Sequence, residues 1–129
     1  MGTAYLLDTN AISKGLRGLF SEDGLAFFRS VVDTEANFSV ITRIELLGFN
    51  PEDSKTEQTF QLFISEGYEY ELTEEIVQAT INLRKTVKIK LPDAIIAATA
   101  LVHKMTLVSD NDTDFLRVPK LKYVNPARL

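Results

Sequence analysis

The run Pro92-Asp93-Ala94-Ile95-Ile96-Ala97-Ala98-Thr99-Ala100-Leu101-Val102 is apolar on nearly every side of a helical projection. A helix of that kind has to be buried all round. Pro92 suits its first turn, where a missing N–H costs nothing. Past His103-Lys104 the chain reads Met105-Thr106-Leu107-Val108-Ser109-Asp110, a short buried strand that runs out into an acid. A buried helix feeding a buried strand is the building unit of a parallel sheet covered on both faces.

The same alternation extends in both directions. Ala4 to Leu7 reads as a first strand, and Asp8-Thr9-Asn10 as a polar turn into a helix start. Ser21-Glu22-Asp23 opens a helix through Leu25, Phe28, Val31 and Val32. Asn37 to Ile41 is a second strand, and Thr42 begins a helix in which Glu45 occupies the third position of a capping box, until Gly48 and Asn50-Pro51 stop it. Ser54 to Ser65 is amphipathic, with Phe60, Phe63 and Ile64 on one face, and Gly67 ends it. Tyr68 to Leu72 is a strand. Thr73 opens a helix to about Thr86 with its acids early and Arg84 and Lys85 late, as the helix dipole favours. Leu121 to Val124 is a last strand. No two-residue hairpin joins any pair of strands, so the reading is α/β: three layers, α/β/α, around a central, mainly parallel sheet of four to five strands. Residues 1–129 are read as one domain, with no repeat or linker.

Composition narrows the chemistry. The 129 residues contain no cysteine and one histidine, which removes thiolate zinc sites, disulfides and cysteine nucleophiles. His103 lies at the end of the apolar helix beside Lys104, where a C-terminal helix residue is the simpler reading than a catalytic base. No apolar run reaches the roughly 18 residues of a membrane span, and the stretch before Asp8 is too short for a signal segment, so a cytoplasmic protein is expected. The formal charge is −4, from 14 basic and 18 acidic residues. Six of those acids stand at strand ends or helix starts: Asp8, Glu45, Asp93, Asp110, Asp112 and Asp114.

In a parallel α/β domain the strand ends converge on one edge, so acids spread along the chain can meet in one pocket. Each has a local alternative: Asp8 as a helix N-cap, Glu45 in the capping box, Asp93 as a carboxylate favoured by the macrodipole, and the 110–114 acids as solvated turn formers. Asp93 stands out because it opens a helix buried on every side, where a poorly hydrated carboxylate needs a partner. Together the acids supply oxygen donors from separate rigid elements, as Mg²⁺ or Mn²⁺ requires for activating water against a phosphodiester. Arg84, Lys85, Lys88 and Lys90, leading into Leu91-Pro92-Asp93, are the candidate contacts for substrate phosphates. Phe20, Phe27, Phe49 and Phe63 are the apolar residues considered for a partner surface, with core packing the commoner fate of Phe.

In order and spacing these motifs resemble the PIN-domain family and, within it, the VapC-type toxin ribonucleases of bacterial toxin–antitoxin pairs. Tyr-Leu-Leu-Asp8-Thr9-Asn10 is similar to the family's first motif and Ile-Thr-Arg-Ile-Glu45-Leu to its second. Leu-Pro-Asp93-Ala-Ile-Ile-Ala-Ala-Thr-Ala is similar to the third, and Leu-Val-Ser-Asp-Asn-Asp-Thr-Asp114-Phe to the fourth. The resemblance implies a homodimer, Mg²⁺- or Mn²⁺-dependent RNA cleavage, and inhibition by a small VapB-type antitoxin. It carries Asp8, Glu45 and Asp93 over as metal ligands. At the fourth position Asn111 occupies the slot where many relatives have an acid. Asp114, just before the Phe, is the choice, with Asp112 as the alternative. Thr9, Asn10 and Asn111 are read as residues that orient the ligands or their waters.

A phosphoacceptor receiver domain would need an aspartate at a mid-chain strand end, whereas Asp53 lies in the turn Asn-Pro-Glu-Asp-Ser. A haloacid-dehalogenase-type phosphatase would need its second aspartate where Asn10 stands. A non-catalytic PIN module that only binds RNA or protein shares the fold but does not require the acids.

Overall fold

Strand and helix alternate because each apolar strand can be covered only by a helix returning over the sheet. The computed structural model describes residues 3–129; Met1 and Gly2, part of the stretch weighed above as a signal segment, lie outside them. The strands are β1 (Tyr5–Leu7), β2 (Asn37–Ser39), β3 (Tyr68–Tyr70), β4 (Thr106–Val108) and β5 (Tyr123–Val124). The helices are α1 (Thr9–Leu16), α2 (Glu22–Thr34), α3 (Val40–Gly48), α4 (Ser54–Glu66), α5 (Glu74–Thr86), α6 (Leu91–Val102) and α7 (Asp112–Phe115), with a 3₁₀ turn over Pro126–Arg128. Among the described residues no helix is long and apolar enough to cross a membrane.

Every paired strand is parallel to its neighbour. β4 lies between β1 and β5, with Leu7 opposite Val108 and Val108 opposite Val124, and β2 pairs with β3. β2 lies alongside β1, which gives the lateral order β3-β2-β1-β4-β5. The backbone ladder is interrupted between β1 and β2. There the Asn37 side-chain amide donates to the Tyr5 carbonyl at 3.0 Å, so a side chain takes an acceptor that a ladder bond would otherwise use.

Side chains alternate across the sheet as the strand period requires. Leu6 and Leu107 face α5 and α6, packing with Leu83, Ile96, Ala97 and Ala100. Their neighbours Leu7 and Val108 face the opposite layer, with Ile12 of α1, Phe28 and Val31 of α2, and Phe60 and Phe63 of α4. The predicted three-layer arrangement with a parallel central sheet is therefore the one observed. In α6 every residue from Ala94 to Ala100 is buried, as its all-round apolar pattern demands.

Two local expectations are corrected. α3 begins at Val40 rather than at Thr42, because the Ser39 hydroxyl accepts the Ile41 N–H at 3.1 Å and caps the helix earlier. Thr42 is therefore inside α3, and Glu45 is not part of a capping box with it. The 110–114 segment, read as a loop, contains α7, capped by Asn111, whose side-chain Oδ1 accepts the Asp114 N–H at 3.3 Å.

Replacing Ile96, fully buried between α6 and the sheet, by alanine is expected to cost about 2–5 kcal/mol, because the surrounding core collapses only partly around the cavity. Ile81 on α5 is 42 % exposed, and its replacement by alanine is expected to change stability by no more than about 0.5 kcal/mol. Urea unfolding midpoints of the two variants check the contrast.

Candidate functional site

Parallel pairing brings the carboxyl ends of the strands to one edge, and the register decides which residues meet there. One step beyond the Leu7–Val108 pair, Asp8 and Ser109 leave the sheet side by side. The Asp8 N–H still bonds the Val108 carbonyl at 3.0 Å, and the Ser109 hydroxyl donates to Asp8 Oδ2 at 2.7 Å. Asp8 occupies the N-cap position of α1, yet its side chain makes no capping hydrogen bond. It is only 4 % exposed. Burial pushes its pKa up to about 6 against the lowering effect of Ser109 and the nearby Thr9 amide, and the charges of Glu45 and Asp110 push it the same way as burial.

Glu45 reaches the same place from α3. Its Oε1 accepts the Thr9 hydroxyl at 2.7 Å, and that hydroxyl stands 3.1 Å from the hydroxyl of buried Thr42. The Thr9 hydroxyl thus holds Glu45 rather than Asp8, tying α1 to α3. Asp93 enters from the first turn of α6. Burial pushes its pKa up to about 7, reinforced by the facing Asp114 carboxyl and by the charges of Asp8 and Glu45. Asp114 is held low: burial works against its ionisation, but hydrogen bonds with Asn111, Asp93 and Arg117 outweigh it. The two carboxyls face each other and shift in opposite directions, Asp93 up and Asp114 down.

The acids differ in how they are compensated. Lys14 of α1 pairs with Asp110, and Arg117 pairs with Asp114 at 2.9 Å. Asp112 faces the C-terminal residues, where it accepts from Tyr123 Oη at 2.7 Å and Asn125 Nδ2 at 2.9 Å and pairs with Arg128. Among the described residues no Lys or Arg forms an ion pair with Asp8, Glu45 or Asp93. A partly buried group of carboxylates without its own cation is the arrangement that calls for an added one.

Asp8, Glu45 and Asp93 line a pocket of about 360 Å³, and Asp110, Asp112 and Asp114 are not on its wall. Asp8, Thr9, Asn10, Ser13, Glu45 and Asp93 form its polar part, Leu46, Phe49 and Phe60 its apolar part, and Arg17 is the one cation on its wall among the described residues. The four cations proposed from sequence, Arg84, Lys85, Lys88 and Lys90, are exposed and line no part of it. Asn111 caps α7 and donates to Asp114 Oδ2 at 3.0 Å. Phe20 and Phe63 are buried, whereas Phe49 stands open at the pocket wall. Asp53 is not at a strand end but caps α4, which removes the support for a phosphoacceptor. Sequence reading assigned no role to Ser109, Lys14, Arg17 or Arg117. Ser109 alone had a signal, its place at the end of a strand parallel to β1.

The donor set is made of carboxylate oxygens, which suits hard divalent cations. Among the described residues no three acidic or histidine side chains are gathered closely enough to cage an ion by themselves. Mg²⁺ tolerates that, because it keeps several waters and takes one or two carboxylates together with substrate phosphates. The residues present therefore fit such an ion.

A PIN-domain sequence model matches residues 5–121. The chain belongs to the PIN-domain family. Among solved structures, this PIN domain is similar to a toxin–antitoxin complex from Klebsiella pneumoniae, at 26% identity and a TM-score of 0.73, over 95% of this chain and 97% of that one. It is similar to FitAcB from Neisseria gonorrhoeae at 26% identity and a TM-score of 0.77, over 97% and 99% of the two chains. DNA-bound VapBC from Salmonella typhimurium shares the fold at 18% identity, with a TM-score of 0.81 over 97% and 99%. Comparison with curated protein sequences gives no match.

The raised carboxyls of this PIN domain set a pH dependence. Asp8 and Asp93 bind protons in the folded state that they release when the chain unfolds, so their contribution to stability is full below about pH 4 and is lost as pH rises through about 6 to 7. In metal-free protein, Asp8 alone is expected to cost on the order of 3 kcal/mol between pH 4 and pH 8. Urea unfolding across that range should show the decline, and Asp8→Asn should reduce it, leaving the part due to Asp93. A wild-type stability that rises over the same interval would contradict the assignment.

Proposed function

We propose that this PIN domain is a Mg²⁺- or Mn²⁺-dependent endoribonuclease, the toxin of a VapBC-type toxin–antitoxin pair. The observation that carries the reading is the convergence of Asp8, Glu45 and Asp93, from three separate elements, in a pocket where no basic side chain among the described residues forms an ion pair with them. In this reading Asp8 and Asp93 hold the ion, Glu45 and Asp114 complete the acidic ring, and Asp112 serves the C-terminal turn. When bound, the ion makes an attacking water more acidic and offsets the charge that builds on the phosphate oxygens. The chain's own residues supply position: Ser109 fixes one oxygen of Asp8, Thr9 fixes Glu45, and Asn111 with Arg117 hold Asp114 against Asp93. No side-chain nucleophile is required, consistent with a chain that lacks cysteine and whose histidine packs edge-on against Tyr70 instead.

The toxin assignment is supported by the likeness to a toxin–antitoxin complex from Klebsiella pneumoniae along nearly the whole of both chains. A VapB-type antitoxin, a homodimeric assembly and a cytoplasmic location belong to the same proposal.

Asp8→Asn and Asp93→Asn are expected to reduce Mg²⁺-dependent RNA cleavage by the purified protein to background. Ser109→Ala is expected to lower it by about 10- to 100-fold, through loss of the hydrogen bond that orients Asp8. Cleavage that persists in excess EDTA would contradict the metal mechanism. RNA binding without turnover at every divalent ion tried would favour the non-catalytic module.

A further inference from the structure

The other end of the sheet carries a hollow of opposite charge. A cavity of about 310 Å³ is lined by Ala100 and Leu101 of α6, by Lys104 and Met105 just after it, and by Lys120 and Lys122 ahead of β5. Met105 and Lys122 immediately precede β4 and β5, so the cavity lies at the amino ends of these strands, whereas Asp8 and Ser109 leave the sheet at its carboxyl edge. The cavity and the acidic pocket share no residue. Ala100 and Met105 are buried and give the cavity an apolar floor. The three lysines are exposed, and among the described residues none of them forms an ion pair and no acid is on the cavity wall.

The backbone beneath two of these lysines is unusual. Lys104 (φ 57°) and Lys120 (φ 66°) are the two non-glycine residues with positive φ among the described residues. Lys104 follows α6 in a Schellman turn, with the Met105 N–H donating to the Ala100 carbonyl at 2.9 Å and its own N–H to the Leu101 carbonyl at 3.3 Å. Glycine is the usual residue there. Lys120 is the third residue of the 118–121 turn, after Pro119, and the Leu121 N–H closes that turn on the Val118 carbonyl at 3.4 Å. Positive φ at that position also favours glycine. A side chain in the left-handed region carries a cost that glycine avoids. Two separate turns accept that cost, and both lysines border one cavity. The C-terminal dipole of α6 favours a cation at Lys104, but it does not account for Lys120 and Lys122, which lie outside the helix.

Lysine presents a compact point charge that suits a tetrahedral phosphate, whereas planar carboxylates are matched by arginine, and no arginine is on this wall among the described residues. A phosphomonoester carries about two negative charges, short of three ammonium groups, and a pyrophosphate group supplies the third. We propose that this cavity binds a pyrophosphate group, free or as the diphosphate of a nucleotide, between Lys104, Lys120 and Lys122. The site is independent of the nuclease reading, because it uses none of the residues of the acidic pocket.

The test is isothermal titration calorimetry of the full chain with inorganic pyrophosphate and with ADP, in EDTA, so that no metal ion at the acidic pocket can hold phosphate. Wild-type protein is expected to bind both saturably. Tighter binding of ADP supports a nucleotide as the source, and equal binding supports recognition of the phosphates alone. Lys104→Gly, Lys120→Gly and Lys122→Gln should each weaken binding by about 10-fold or more, the loss of one charge-assisted hydrogen bond. The two glycine variants should also melt about 1–4 °C above wild type, through relief of the left-handed backbone. That rise separates lost ligand contact from damage to the fold, and glycine variants that melt lower would overturn the reading of the two turns. Lys88→Gln, off the cavity wall, should bind as wild type does. An equal loss in Lys88→Gln would reduce the effect to net charge and overturn the site, as would wild-type protein without saturable binding. Citrate that binds as tightly as pyrophosphate would overturn the phosphate assignment. Single-stranded RNA binding that the lysine variants lose, with no binding of pyrophosphate, would make the lysines a nucleic-acid contact and overturn the small-ligand site.

Discussion

The site depends on the parallel pairing of β1 with β4. A ladder that sets Leu7 opposite Val108 obliges Asp8 and Ser109 to emerge together at the sheet edge, and the short bond between them follows from the register. A slip of one residue would turn Leu7 and Val108 toward the wrong layer and carry Asp8 with them. The core therefore enforces the site: the apolar alternation that locks the register also fixes the carboxylate.

That placement works against folding in the absence of a cation. Taking an ionised carboxylate out of water costs several kcal/mol, and neighbouring acids add repulsion. The chain answers the problem differently along its length. Asp110, Asp112 and Asp114 are each matched by a basic side chain, Lys14, Arg128 and Arg117. Asp8 and Asp93 have no such partner among the described residues, and burial raises the pKa of each. Stability has been given up at these positions, the pattern expected where structure serves a function.

Much of the fold was legible because its signals are local. The all-apolar face of Ala94 to Ala100, the cap at Ser21, the stop at Gly67 and the acid-first, base-last order of Glu74–Thr86 each report a single element, and each element is present. The start of α3 was misplaced because Ser39 lies inside an apolar run and its capping role depends on a hydroxyl that composition does not reveal. α7 was missed because four residues give no periodicity to read. The site was legible only in part. Strand ends and helix starts identified where Asp8, Glu45 and Asp93 should meet, but not which side chains would hold them. Thr9 reaches across to Glu45 on another helix, and Arg117 holds Asp114 from beyond the acid run. The basic cluster at Arg84 to Lys90 was inferred from adjacency in sequence to Asp93. In space the pocket's cation is Arg17, whose position at the end of α1 gave no signal in one dimension.

The uncompensated carboxylates at the sheet edge are the proposed divalent-ion site. Anomalous scattering from a Mn²⁺-soaked crystal tests it directly, because it locates the ion without reference to activity. The account predicts a peak at about 2.1 Å from carboxylate oxygens of Asp8 and Asp93. A Mn²⁺ peak at the cation-paired Asp112, with none beside Asp8 and Asp93, would contradict it.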